Sequence, residues 1–274
     1  MERSSNLLDE ALGILDVDHN SYSSSTESLP SASSSGNCVL IQDCVETSAA
    51  FVIHHLLKRS LSPHPQSSSA VIFVSLAHPF SHYHRILRKL GCNLAAHRDD
   101  GRFFFVDMLM LGCTDHGKGI SHSGELIDLY GKIQKIVEDI ALNGVIKKRI
   151  TIILDDFSLI EVAANGSFSH CLDFLQYCYT LTSENGCSLV ILNHEDNYFE
   201  EESSTPMLQM EYLANIIIKA EPLATGLAAD VHGQLTVLNK GIHEKSRNSL
   251  NKVHNFHYKV KENGVECFYP GTRA

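Results

Sequence analysis

The sequence predicts an α/β fold with a mostly parallel central sheet that ends in antiparallel strands. Short β-rich runs alternate with amphipathic helical stretches from residue 38 to residue 193. Two of those runs, residues 70–76 (AVIFVSL) and 150–154 (ITIIL), are apolar almost throughout, as strands buried on both faces are. After residue 215 strand-like segments follow one another without helices between them. This pattern argues against an all-α or an all-β fold.

Residues 6–15 place Leu7, Leu8, Ala11, Leu12 and Leu15 on one helical face, a short helix suited to docking on another surface, of this chain or of a partner. Residues 20–37 are dominated by serine, too polar to fold alone, and read as a disordered linker. Residues 1–36 are therefore expected as a helix plus linker, and 37–274 as one domain. Residues 38–41 form the first strand and 48–59 the first helix of that domain. The serine- and proline-rich stretch 60–69 is a loop, and 70–76 the second strand. Pro79 suits a first helical position, and Phe80, Tyr83, Leu87 and Leu90 line one face of the helix, which Gly91 stops. Residues 103–106 form a third strand. Residues 125–143 carry a stripe of Leu126, Leu129, Tyr130, Ile133, Ile136, Val137 and Ile140 at helical spacing. Strand 150–154, helix 169–182 and strand 188–193 complete the alternation. Strands are then expected at 215–219, 234–239, 255–260 and 265–269, with Asn263-Gly264 as a hairpin signal between the last two.

The chain has 274 residues, 43% of them hydrophobic, enough for a real core. No apolar run approaches the roughly 20 residues that span a bilayer, and the first residues do not read as a secretory signal, so a cytoplasmic and nuclear location is expected. Eight cysteines occur without a C-x-x-C pair and are read as reduced, mostly buried thiols. A net charge of −10 excludes bulk electrostatic coating of nucleic acid, so any RNA contact needs a local basic patch or partner subunits.

The loop Gln42-Asp43-Cys44-Val45-Glu46-Thr47 lies between the first strand and helix, where a nucleotide-binding fold holds phosphate. Such loops use glycines to wrap the anion, a lysine to neutralise it and a Ser/Thr hydroxyl to hold Mg²⁺. This loop has no glycine and no lysine, and Asp43 and Glu46 would repel a triphosphate. Thr47 or Ser48 is expected only to cap the helix. Asp155-Asp156, after the fourth strand, stands where nucleotide hydrolases place a Mg²⁺-binding Asp. The second strand, however, ends in Ser75-Leu76-Ala77-His78 with no catalytic carboxylate. No cofactor or metal is expected. The sixteen histidines form no ligand spacing: His54 and His55 are adjacent, and His82 and His84 point to different helix faces. Gly119 to Gly124 misses the nucleophile-elbow pattern, and no G-x-G-x-x-G occurs. The acidic stretch 195–204 reads as a solvated loop. Residues 240–261 are rich in base, and Lys240, Lys245, Arg247 and Lys252 are candidates to track RNA phosphates, against the simpler reading of a soluble surface loop.

Several stretches together resemble one family. FVSLAHPFSHYHRILRKLG (73–91), PLATGLAADVHGQLTVL (222–238), FVIHHLL (51–57) and LDDFSLI (154–160) are similar to the sixth subunit of the eukaryotic Elongator complex. The similarity spreads from residue 38 to 269 in the right order and leaves out the serine-rich stretch and much of 109–124. The resemblance implies a RecA-like three-layer fold with a degenerate phosphate loop. It also implies a hetero-hexameric ring with Elongator subunits four and five, two copies of each, that binds tRNA. The ring supports wobble-uridine modification, whose chemistry lies in another subunit. Phe80, His82 and Tyr83 are then a packing or interface corner, against simple core packing of Phe80 and Tyr83. Asp230 and His232 are either turn residues or part of a loop facing a neighbour. The expected function is a non-catalytic ring subunit. The rival from another class is an ATP-binding or ATP-hydrolysing regulator with an atypical phosphate loop, and a third reading is a monomeric adaptor.

Overall fold

The computed structural model describes residues 7–12, 37–62, 69–109, 122–143, 149–164, 167–197, 204–226, 228–240, 252–262 and 264–272. The serine-rich stretch, Lys245, Arg247 and Asn263 lie outside the described residues.

Nine strands form one sheet in the order β3-β2-β4-β5-β1-β6-β7-β8-β9. They are β1 (Cys38–Asp43), β2 (Ser69–Ser75), β3 (Phe103–Asp107), β4 (Arg149–Asp155), β5 (Ser188–His194), β6 (Ile216–Glu221), β7 (Gly233–Asn239), β8 (Lys252–Lys261) and β9 (Gly264–Phe268). The first six pair in parallel and the last three add antiparallel. Eight helices accompany them among the described residues: α1 (Leu7–Ala11), α2 (Ala50–Leu61), α3 (Phe80–Lys89), α4 (Leu94–Asp99), α5 (His122–Asn143), α6 (Ser158–Ala163), α7 (Phe168–Asn185) and α8 (Ser204–Leu213).

The apolar strands are buried on both faces because each face has its own helical layer. Cys38 and Leu40 of β1, Ile72 of β2 and Ile152 of β4 pack with α5, α7 and α8. Val39 and Ile41 of β1, Phe73 of β2 and Ile153 of β4 pack with α2 and α3 on the opposite face. The α5 stripe is the inner face of that helix: Leu129, Ile133 and Val137 are fully buried, with Tyr130 and Ile136 packed at its margin. Gly91, at φ 84°, ends α3 as expected, and the next amide, of Cys92, returns to the Leu87 carbonyl at 2.8 Å.

Several expectations needed correction. Pro79 is the residue before α3 rather than its first, because its extended ψ of 160° is not helical. α4 was missed: Asn93 starts it by accepting the Ala96 N–H at 3.4 Å, and only Leu94 is buried. α6 and α8 were also missed. Of the acidic stretch 195–204, residues 198–203 lie outside the described residues, and the remainder is not simply a solvated loop. Glu195 pairs with Lys219 at 3.0 Å, Asp196 accepts a hydrogen bond, and α8 begins at Ser204. The short N-terminal helix does dock, and its surface is its own domain rather than another chain, with Leu8, Ala11 and Leu12 in the α2-side core. The thiols of Cys38, Cys92, Cys171 and Cys178 are free and buried, Cys187 is buried too, and burial pushes the thiols of Cys38 and Cys171 up to about 12. Among the described residues no helix is long and apolar enough to cross a membrane.

Candidate functional site

The parallel strands β1, β2, β4 and β5 all end on one edge of the sheet, the edge where open α/β folds bind ligands. At the end of β1 the chain must turn into α2 without glycine. It does so through a tight turn, with Thr47 N–H donating to Cys44 O at 3.0 Å and Cys44 N–H to Thr47 O at 3.4 Å. The Thr47 hydroxyl ties this turn to β6 by donating to Ala220 O at 2.9 Å, rather than capping α2. Ser48 Oγ instead accepts the N–H of Ala50, the first residue of α2, at 3.3 Å, and Asp43, only 1% exposed, accepts the Ala49 N–H at 2.7 Å through Oδ2. Asp196, from the turn after β5, accepts the Val45 N–H. Four amides of this loop, those of Cys44, Val45, Thr47 and Ala49, are thus occupied, those of Val45 and Ala49 by the chain's own carboxylates.

His194 completes this arrangement. It ends β5, in register with Asp43 at the end of β1. Its Nδ1–H donates to Asp43 Oδ1, and its Nε2–H donates to Asp156 Oδ2 at 3.0 Å. The bonds to Asp156 and Asp43 outweigh the effect of burial and raise the imidazole to about 10, so a cation sits between two buried carboxylates at neutral pH. Asp156 uses its other oxygen to cap α6, accepting from Ser158 Oγ–H and from Leu159 N–H at 3.3 Å.

Asp155 stands one strand further along. Tyr83, from α3, donates its hydroxyl to Asp155 Oδ2 at 2.7 Å. Ser75, the β2 residue in register with Asp155, lies 3.1 Å from the same hydroxyl. Burial lifts the Asp155 carboxyl to about 6; Asp156 adds to the rise and the Tyr83 bond opposes it. Asp155 is therefore held by a phenol, at 6% exposure, where a nucleotide hydrolase turns the equivalent Asp toward Mg²⁺. Among the described residues no group of three or more His, Cys, Asp or Glu could hold a metal ion.

The structure separates the other candidate residues. Tyr83 belongs to the acidic edge just described. Phe80 packs edge-on against Phe105 at 5.4 Å, with the Arg98 guanidinium 5.0 Å over its ring. His82 stacks on His78 at 4.1 Å, while His84 stacks on Phe80, so His82 and His84 do face different neighbours. Asp230 pairs with Lys259 at 2.6 Å, and His232 Nδ1 accepts the Val260 N–H at 2.9 Å, so both fasten the start of β7 to β8. Gly233 follows them because a Cβ there would lie 2.8 Å from Glu221 O and from the Tyr258 ring. Lys240 and Lys252 flank the loop between β7 and β8 at the opposite end of the sheet from Asp43. Lys252 is exposed, whereas the Lys240 ammonium donates to the Glu211 carbonyl near the end of α8.

His194 escaped the sequence reading because a histidine closing a strand has no spacing signature. Its role needs the strand order, which inserts β5 between β4 and β1.

Two solved structures share the architecture. A KaiC-like protein of the archaeon Pyrococcus horikoshii OT3 aligns over 85% of this chain and 90% of its own, with TM-score 0.55 and 12% identity. An uncharacterized protein of Pyrococcus horikoshii, solved with an unknown peptide, aligns over 86% and 92%, with TM-score 0.57 and 14% identity. These likenesses, with the three layers, make the fold RecA-like. The Elongator complex protein 6 of Mus musculus is 29% identical over 257 residues, covering 88% of this chain and 93% of its own. That of Homo sapiens is 26% identical over the same shares of the two chains. That of Dictyostelium discoideum is 23% identical over 316 aligned positions, covering 87% and 92%. The family model described as Elongation complex protein 6 matches residues 20–262, beginning inside the serine-rich stretch that the motif resemblance left out. A match of that extent, with relatives aligned along most of their length, places this chain in the Elongator complex protein 6 family.

Proposed function

We propose that the chain is a non-catalytic RecA-like subunit of a hetero-hexameric ring with Elongator subunits four and five, two copies of each. In this reading it supports wobble-uridine modification of tRNA by assembly and by sharing in tRNA binding, in the cytoplasm and nucleus. The observation that carries the proposal is the self-occupied phosphate loop. Asp43 and Asp196 take the loop amides, and His194 supplies the cation within the chain. A nucleotide would have to displace two carboxylates and approach Asp155 and Asp156 without a lysine of the loop to neutralise it.

A RecA-like domain relieved of nucleotide keeps the face that its relatives set against a neighbour, and obligate interfaces commonly bury more than about 2,000 Å². RNA contact is assigned to the loop between β7 and β8, with Lys252 at its base and Lys245 and Arg247 within it. Co-expression with subunits four and five, followed by native mass measurement, tests the assembly. A species of two copies of each chain is expected. A chain that stays monomeric beside both partners would contradict the proposal.

A further inference from the structure

α1 has five residues, far below the roughly 12–15 at which an isolated helix holds in water, so its helicity depends on what it lies against. Leu8, Ala11 and Leu12 are buried in the α2-side core. Asp9 reaches His55 Nε2 at 2.8 Å and Arg59 Nη1 at 2.6 Å, both on α2. The carboxylate thus fixes the position of a helix whose leucines supply the burial.

α1 fills only one side of its groove. Beside it a cleft of about 560 Å³ runs between α2, α3 and the β8–β9 hairpin, bordered by Leu8 and Asp9 themselves. Phe51, Ile86, Leu90 and Val265 give it apolar walls, and Lys58 and Lys89 stand at its margin. Neither lysine has an ion pair among the described residues. On a chain of net charge −10, an apolar cleft edged by unpaired lysines is complementary to an acidic, amphipathic segment.

We propose that this cleft is a docking groove for an acidic amphipathic helix of a partner protein, and that α1 occupies one end of it in cis. Leucines would enter the apolar walls, one carboxylate would take the place of Asp9 on His55 and Arg59, and further acids would meet Lys58 and Lys89. Because α1 is tethered to the same chain, it competes at high effective concentration, and an incoming helix gains access when α1 leaves.

The test uses a fluorescein-labelled peptide with the sequence of residues 5–17, titrated by anisotropy against the full chain. Leu8→Asp, which withdraws α1, is expected to bind the peptide roughly tenfold or more tighter than the unaltered chain. Adding Lys58→Glu and Lys89→Glu to Leu8→Asp is expected to weaken that binding by roughly tenfold or more. Should Leu8→Asp fail to fold, Asp9→Arg withdraws the same helix through its ion pairs and leaves its leucines in place. Absence of saturable binding to the withdrawn variants, or binding indifferent to the lysine reversals, overturns the proposal. Dimerisation of Leu8→Asp that the peptide does not dissolve would assign the groove to a second copy, and overturns it too.

Discussion

Replacing His194 by glutamine removes the cation from between Asp43 and Asp156 and leaves two carboxylates, 1% and 4% exposed, facing each other. Deleting one partner of a buried ion pair typically costs about 3–5 kcal/mol. The His194 side chain is 39% exposed, so solvent screens part of this, and the expected loss is about 2–3 kcal/mol. For a domain of this size that corresponds to roughly 4–12 °C in melting temperature. Adding Asp156→Asn to His194→Gln removes one of the stranded charges, keeps an oxygen to cap α6, and should recover part of the loss. The pH dependence has a definite sign. His194 titrates near 10 in the folded chain against an ordinary 6.5, so the folded state holds a proton that the unfolded state releases between those values. Its contribution is complete below about pH 6.5 and is lost as pH rises toward about 10, with a limiting slope near 1.4 kcal/mol per pH unit that screening reduces. Burial holds His54, His82 and His97 below the ordinary 6.5, which gives a slope of opposite sign near that pH, so the effect is isolated by comparing urea unfolding of the native chain and His194→Gln between about pH 7 and 8. Stability should change more steeply downward with pH in the native chain than in His194→Gln. A variant within about 0.5 kcal/mol of the native chain, together with identical pH slopes, would refute the reasoning.

Tyr83→Phe removes the hydroxyl donor to Asp155 and should cost about 1–3 kcal/mol in chemical denaturation. It should also move the Asp155 titration above its present value of about 6, read by carboxyl-carbon NMR, because the bond that opposes the rise is gone. Gly233→Ala forces a methyl to within 2.8 Å of a carbonyl and the Tyr258 ring, and should destabilise by about 1–3 kcal/mol in the same assay. Changing Lys245, Arg247 and Lys252 together to Glu should weaken tRNA binding by the assembled ring and flatten its salt dependence, measured by filter binding across a salt series. Unchanged binding would return those residues to ordinary surface.

The strands of the parallel sheet were legible because both of their faces are covered: residues 70–76 and 150–154 are apolar at both parities, and only a two-sided burial requires that. α5 was legible because one face alone is buried over 22 residues, long enough for the period to repeat. α4 and α6 have six residues each, too few for any period to show, and rest on Asn93 and Asp156 as caps. At the site, the lack of glycine and lysine in the 42–47 loop was readable, but what its amides bind was not. Asp43 and Asp196 are 153 residues apart, and Asp196 reaches the Val45 amide only after β5 is laid beside β1. Tyr83 was expected as an interface or core residue; its bond to Asp155 depends on β4 lying beside β2, the strand that α3 follows.

The account rests on a phosphate loop filled from within, and calorimetric titration of MgATP into the isolated chain examines that loop without any partner. No saturable heat is expected at nucleotide concentrations up to about a millimolar, a Kd range that corresponds to only about 4 kcal/mol of binding. Micromolar affinity that disappears on changing Asp155 to Asn would contradict it, and would return the chain to the nucleotide-binding members of its fold.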